Sequence, residues 1–128
     1  MTAKSIPAGY HTITPYLVSP GAARVIDFLK AAFGAQELQR DARPNGTIRH
    51  AEVKIGDSVV MMGEATEEWP PMPAMLYVYV EDVDRVYRQA IEAGATSLRE
   101  PADQPSGDRV GGVADPAGNQ WWLATPMG

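Results

Sequence analysis

Two residues have the types and the spacing for chemistry: His50 and Glu52, two apart in the alternating run Ile48-Arg49-His50-Ala51-Glu52-Val53-Lys54-Ile55. Alternate side chains of a strand share a face, so imidazole and carboxylate stand side by side with Cα atoms ~6.6 Å apart. Such a pair can act as a general base or donate ligands to a borderline cation such as zinc or nickel. A cation needs more donors, and the candidates are His11, the other imidazole, and Glu64. The simpler reading of the same run is a polar face on which His50, Glu52 and Lys54 pair charges locally. Other chemistry is poorly served. Cysteine is absent, which removes disulfides, thiolate ligands and a cysteine nucleophile. Ser5, Ser19, Ser58, Ser97 and Ser106 lie in no glycine-elbow motif. The run Gly107-Asp108-Arg109-Val110-Gly111-Gly112 opens no helix, so no phosphate loop is expected there.

The elements that must position these groups are legible from periodicity. His11 to Val18 is β-branched and aromatic and stops at Ser19-Pro20-Gly21, which predicts a strand and a turn. Ala22 to Phe33 places Val25, Ile26, Leu29 and Phe33 on one helical face, with Gly34 where the helix should end. A short strand over Glu37–Arg40, a turn at Pro44-Asn45-Gly46, the strand Ile48–Ile55, a turn at Gly56-Asp57-Ser58 and the strand Val59–Met62 follow. Residues 63–74 (GEATEEWPPMPA) hold three prolines and three glutamates and read as a linker.

After the linker the pattern begins again. Met75–Val80 is a strand with Tyr77 and Tyr79 on one face and Leu76, Val78 and Val80 on the other. Asp82–Ala93 is a helix, capped by Asp82 and ended at Gly94, with Val83, Val86, Tyr87, Ala90 and Ile91 inward. Thr96–Arg99, Arg109–Ala114 and Gln120–Thr125 are strands, the last two joined by the turn Asp115-Pro116-Ala117-Gly118-Asn119. Both helices end in Gly-Ala, at Gly34-Ala35 and Gly94-Ala95, about sixty residues apart. Two copies of one unit, each strand, helix, short strand and hairpin, make a single α+β domain over 1–128. The expected parts are a first βαβββ module at 11–62, the linker at 63–74 and a second module at 75–126.

Composition bounds the partners. The formal net charge is −5, and the eleven basic residues form no stripe, so no nucleic-acid partner is expected. No apolar run approaches the ~18 residues of a membrane span. The opening MTAKSIPAGYHT has no apolar secretory core, and a cytoplasmic location is expected.

The C-terminal Asp115-Pro116-Ala117-Gly118-Asn119-Gln120-Trp121-Trp122-Leu123-Ala124-Thr125 resembles the turn and strand of the vicinal oxygen chelate superfamily of glyoxalases, bleomycin-resistance proteins and dioxygenases. Thr14-Pro15-Tyr16-Leu17, Ile26-Asp27-Phe28-Leu29, Ala32-Phe33-Gly34-Ala35, Ile48-Arg49-His50-Ala51-Glu52 and Gly107-Asp108-Arg109 are similar to its PhnB-like branch. The resemblance implies the glyoxalase/bleomycin-resistance fold, in which the modules form a curved mixed sheet cupping a pocket. It also implies a homodimer whose pockets lie near the interface. Such a fold hosts many functions, so function has to be read from the site.

In metal-dependent members the ligands are His, Gln or Glu on the first and last strands of each module. The resemblance carries those places onto Thr14, Met61 or Met62, Met75 and Trp122. None suits a hard or borderline divalent cation, so no metal and no other cofactor is expected. With these places facing the cup, alternation adds Tyr16, Tyr77 and Tyr79 to its lining, and the expected ligand-binding set is Tyr16, His50, Glu52, Met75, Tyr77, Tyr79 and Trp122. Aromatic rings and thioethers suit a planar or cationic organic molecule. The leading expectation is a metal-free binder that sequesters such a compound. The alternatives are a metal-dependent lyase, isomerase or dioxygenase of the same superfamily, with His50, Glu52 or Glu64 as base or ligand, and an accessory binding module. Trp121, out of phase with Trp122, is expected to face the helices.

Overall fold

The computed structural model describes residues 5–128. The first module is β1 (Tyr16–Ser19), α1 (Ala22–Phe33), β2 (Gln36–Ala42), β3 (Ile48–Ile55) and β4 (Ser58–Glu64). The second is β5 (Met75–Tyr79), α2 (Val83–Glu92), β6 (Thr96–Asp103), β7 (Asp108–Ala114) and β8 (Gln120–Pro126). Each forms a four-stranded mixed sheet, ordered β1-β4-β3-β2 and β5-β8-β7-β6, with its first strand parallel to its last. The expected α+β class and the paired βαβββ modules are the observed ones, and the eight strands divide into two sheets.

Each helix covers one face of its own sheet because one side of it is apolar. Val25, Ile26 and Leu29 of α1 and Val86 and Ala90 of α2 are buried. The helices also pack on each other, so both modules share one core: Leu17, Val53 and Met62 from the first sheet, Val113, Trp121 and Leu123 from the second. Trp121 is 1% exposed and lies 5.5 Å, centroid to centroid, from Phe33 of α1. Ile91, expected inward, is exposed instead, one step round α2 from the buried row of Val86 and Ala90.

The turn between β7 and β8 ties the modules together. Asp115, 5% exposed, accepts from the backbone N–H groups of Ala117 (2.8 Å) and Asn119 (3.0 Å) through Oδ1. Its Oδ2 accepts from the Asn119 amide (3.0 Å) and the Trp121 indole (2.9 Å). Asn119, fully buried, also donates to Ser19 of β1 at 3.2 Å and accepts from the Ala74 N–H at 2.9 Å. Every donor around this buried carboxylate is therefore matched, as a buried charge requires.

Several boundaries differ from the sequence expectation. The strand predicted over His11–Val18 begins only at Tyr16, since Pro15 has no N–H for a ladder and the chain before it leaves the sheet. The first module accordingly runs from Tyr16 to Glu64 rather than 11–62, and two residues of the expected linker, Gly63 and Glu64, belong to β4. β6, expected to end at Arg99, continues to Asp103 through two register shifts that flank Arg99. Gly34 ends α1 in the left-handed conformation with φ 66°, as expected of a C-terminal glycine.

Asp115→Ala would orphan four donors inside the core and is expected to cost ~3 kcal/mol or more. Asp57→Ala, in the equivalent exposed turn of the first module, should stay within ~0.5 kcal/mol. Trp121→Ala is expected to cost ~3–5 kcal/mol as a core truncation, and Trp122→Ala clearly less. Denaturant unfolding of the four variants checks these values, and equal losses for the two tryptophans would refute the assignment of faces.

Candidate functional site

The faces opposite the shared core are open, and they carry the predicted site residues in two groups. On the first sheet, His50 and Glu52 of β3 stand beside Met61 of β4 and Tyr16 of β1; Glu52 pairs with Met61, and Met61 with Tyr16. On the second, Met75, Tyr77 and Tyr79 of β5 alternate outward beside Gln120, Trp122 and Ala124 of β8. The structure therefore does not place Tyr16 with Tyr77 and Tyr79 on one inner surface. Both sheets bury their other faces in one core, which turns the two groups to different sides of the chain.

On the first sheet the polar groups form a continuous chain. Tyr10, from the segment before β1, donates its hydroxyl to Glu52. The other Glu52 oxygen lies 2.8 Å from His50 Nε2, and His50 Nδ1 lies 3.2 Å from the Tyr16 hydroxyl. An ionised Glu52 calls for a proton on Nε2, which leaves Nδ1 to accept from Tyr16 in the neutral ring. The Tyr10 hydroxyl, and then His50, hold the Glu52 carboxyl below its ordinary range, while the Tyr10 phenol is raised by the same contact. Gly63 of β4 makes room for this arrangement: a Cβ there would sit 2.9 Å from the Arg49 carbonyl and 3.1 Å from the Tyr16 hydroxyl. Tyr10, Thr14, Glu52 and Met61 line a recess of about 390 Å³ under the N-terminal segment.

On the second sheet the Trp122 ring lies flat across Gly112 of β7, where a Cβ would stand 2.6 Å from the ring. Its indole N–H is held by Gln120 Oε1 at 3.0 Å. The Arg99 guanidinium sits over the ring, 5.8 Å from its centroid. Tyr77 packs edge-on against Tyr79 at 5.3 Å and donates to Asp108 at 2.8 Å, which pushes its phenol up to about 12. A larger groove of about 900 Å³ runs between the modules, lined by Phe33, Ile55, Leu76, Val78, Val86 and Trp121 among others.

The residues at the superfamily's metal places do not form a cation site. Thr14 precedes β1, Met61 faces the first open sheet, Met62 is buried in the core, and Met75 and Trp122 belong to the second open sheet. Thioethers and an indole are poor donors for a hard or borderline ion, and these residues are split between two faces. The substitute set is dispersed as well. Glu64 is spent on the α1 N-terminus, where it accepts from the N–H groups of Gly21 (2.7 Å) and Ala22 (3.1 Å). Among the described residues no three of His, Asp and Glu converge as a metal site. Sequence reasoning missed Tyr10, Gln120, Arg99 and Gly112. The last had a visible signal, a Gly-Gly pair inside a strand, which marks close approach of another group.

The family model described as Glyoxalase/Bleomycin resistance protein/Dioxygenase superfamily matches residues 10–123. An uncharacterized protein of Mycobacterium bovis is 36% identical, covering 90% of this chain and 83% of its own length. TioX from Micromonospora sp. ML1 superimposes with a TM-score of 0.78 at 28% identity, over 91% of this chain and 98% of TioX. A PhnB protein from Bacillus cereus gives a TM-score of 0.71 at 20% identity, over 90% and 99%. The fosfomycin resistance protein FosX from Mesorhizobium loti gives 0.67 at 17%, over 90% and 91%.

Two outcomes test the local electrostatics. Because Glu52 is depressed in the fold, its contribution is present above the ordinary carboxylate pKa and fades as pH falls through the folded value. Glu52→Gln should therefore flatten the acid limb of the stability curve, measured by thermal melts against pH. Because the Tyr77 phenol is raised to about 12, Asp108→Asn should return its tyrosinate absorbance transition towards the ordinary value of ~10.

Proposed function

The chain belongs to the Glyoxalase/Bleomycin resistance protein/Dioxygenase superfamily, and on that premise we propose that it is a metal-independent binder that sequesters an aromatic or cationic organic compound. The observation that carries this reading is the exposed apolar face of β5: Met75 is 71% exposed, Tyr77 48% and Tyr79 65%. Large side chains left together in water on one strand face mark a binding surface. Trp122 beside them offers a fixed ring. On the other open face the Glu52 carboxylate is 7% exposed and engaged by Tyr10 and His50, so an incoming group meets Tyr16 and His50 first.

The functional unit in this reading is a cytoplasmic homodimer. Two outward faces of one chain cannot close over one ligand, whereas a second copy can lay its first sheet against the second sheet of its partner. That arrangement would bring Tyr16, His50 and Glu52 of one chain opposite Met75, Tyr77, Tyr79 and Trp122 of the other. No helix among the described residues is long and apolar enough to cross a membrane.

The chain Tyr10–Glu52–His50–Tyr16 favours a second reading, an enzyme in which the Glu52–His50 pair moves a proton to or from a bound substrate. Turnover abolished by Glu52→Gln in a folded protein would favour it over sequestration.

A thermal-shift screen of aromatic compounds of either charge, with and without chelator, tests the leading proposal. Hits are expected to survive chelator and to vanish in Trp122→Ala without comparable loss of stability. Hits that require added zinc or nickel would overturn it. Light scattering is expected to give twice the 13.8 kDa chain mass, and a monomer with full ligand affinity would refute the shared cup.

A further inference from the structure

Resting on the reading that the open faces bind an organic molecule, we propose that the second sheet carries an oxyanion site. There Arg99, held over Trp122, receives the carboxylate, phosphonate or phosphate group of an aromatic ligand. Three observations on different elements build this site. The register of β6 against β7 shifts on both sides of Arg99, between Ser97 and Arg99 and between Arg99 and Ala102. Bulges re-aim side chains, and these leave Arg99 directly opposite Gly112. Gly112 in turn lacks the Cβ that would strike the Trp122 ring at 2.6 Å, so the ring can lie down on the strand. Gln120 then fixes the ring's orientation by accepting from its N–H at 3.0 Å.

The guanidinium over that ring is unspent. Arg109 pairs with Asp84 and Asp103, Arg40 with Glu37, and Arg49 with Asp41, whereas Arg24, Arg43, Arg85, Arg88 and Arg99 form no ion pair among the described residues, and of these Arg99 alone lies over an aromatic ring. Arg99 has no carboxylate within salt-bridge distance among the described residues, although the chain has sixteen Asp and Glu. A guanidinium lying against an aromatic ring still presents its N–H donors at its edge, and that fork matches two oxygens of a carboxylate or phosphoryl group. Because Arg99 already occupies the cation-attracting surface of Trp122, a second cation is disfavoured at this place. The ligand's ring would instead lie along Met75, Tyr77 and Tyr79, which continue the same face. Asp108, the carboxylate on the same face, is held by the Tyr77 hydroxyl at 2.8 Å.

Isothermal titration calorimetry of the full chain at low ionic strength tests this with benzoate, phenylphosphonate, inorganic phosphate and benzylammonium. Benzoate and phenylphosphonate are expected to bind, and Arg99→Gln to weaken both by about tenfold or more with the melting temperature unchanged. Arg99→Lys keeps the charge without the fork and should restore only part of the affinity. Gly112→Ala, by lifting the ring, should weaken the same probes in a protein that still melts cooperatively. Oxyanion affinity indifferent to Arg99→Gln overturns the site. So does inorganic phosphate binding as tightly as phenylphosphonate, since the aromatic part would then be irrelevant. Benzylammonium binding through Trp122 in preference to benzoate also overturns it while leaving the sequestration reading intact. Failure of every aromatic probe removes both.

Discussion

One buried carboxylate sets the geometry of the chain. Asp115 collects two backbone donors, the Asn119 amide and the Trp121 indole, and Asn119 passes the connection on to Ser19 and Ala74. A charge in this position is tolerable only when each lone pair is matched, so the turn, the start of β8 and the end of β1 must assemble together. Trp121 is thereby locked inward, and since strand neighbours point to opposite faces, Trp122 is committed to the open side. A hydrogen-bonded turn in the second module thus decides which tryptophan faces outward.

The same assembly explains the division of the site. Each module has one apolar sheet face, and the shared core takes both. What remains outward is the complementary set of alternate residues: His50, Glu52 and Tyr16 on one sheet, Met75, Tyr77, Tyr79 and Trp122 on the other. Glycines shape both faces. Gly63 clears space beside the Tyr16 hydroxyl, and Gly112 lets Trp122 lie flat. Neither has an unusual backbone angle that would demand glycine, so the requirement comes from the neighbouring aromatic side chain.

Much of this was legible in the sequence because periodicity reports burial. The spacing of Val25, Ile26 and Leu29 marked the core side of the first helix, and alternation separated His50 and Glu52 from Ala51 and Val53. The Asp-Pro-x-Gly-Asn run announced a turn through its φ preferences, yet not that its carboxylate would anchor an indole and an amide. Contacts of that kind join residues far apart in the chain, as Asn119 and Ser19 do across a hundred positions, and no local pattern encodes them. Glu64 shows the same limit. It reads as an acidic linker residue and a candidate ligand, but its place at the end of β4 brings it to the N–H groups of Gly21 and Ala22. A helix start without a side-chain cap of its own, since Gly21 has none, draws in a carboxylate from elsewhere.

The polarity of the two faces bears on why a metal would be redundant in the proposed cup. A divalent ion in this fold would polarise or anchor an anionic ligand oxygen. Here the residues at the metal places are apolar or weakly polar, and the positive charge on the second face comes from Arg99, held over Trp122. A guanidinium supplies directional hydrogen bonds and a permanent charge without needing deprotonated donors around it. It cannot act as a strong Lewis acid, so it favours holding an oxyanion over activating one. On the other face the Glu52 carboxylate is already engaged by Tyr10 and His50, so it orients those two groups. In the proposed cup, an arginine in place of a cation turns the chemistry from polarisation towards recognition, which is what the sequestration reading requires.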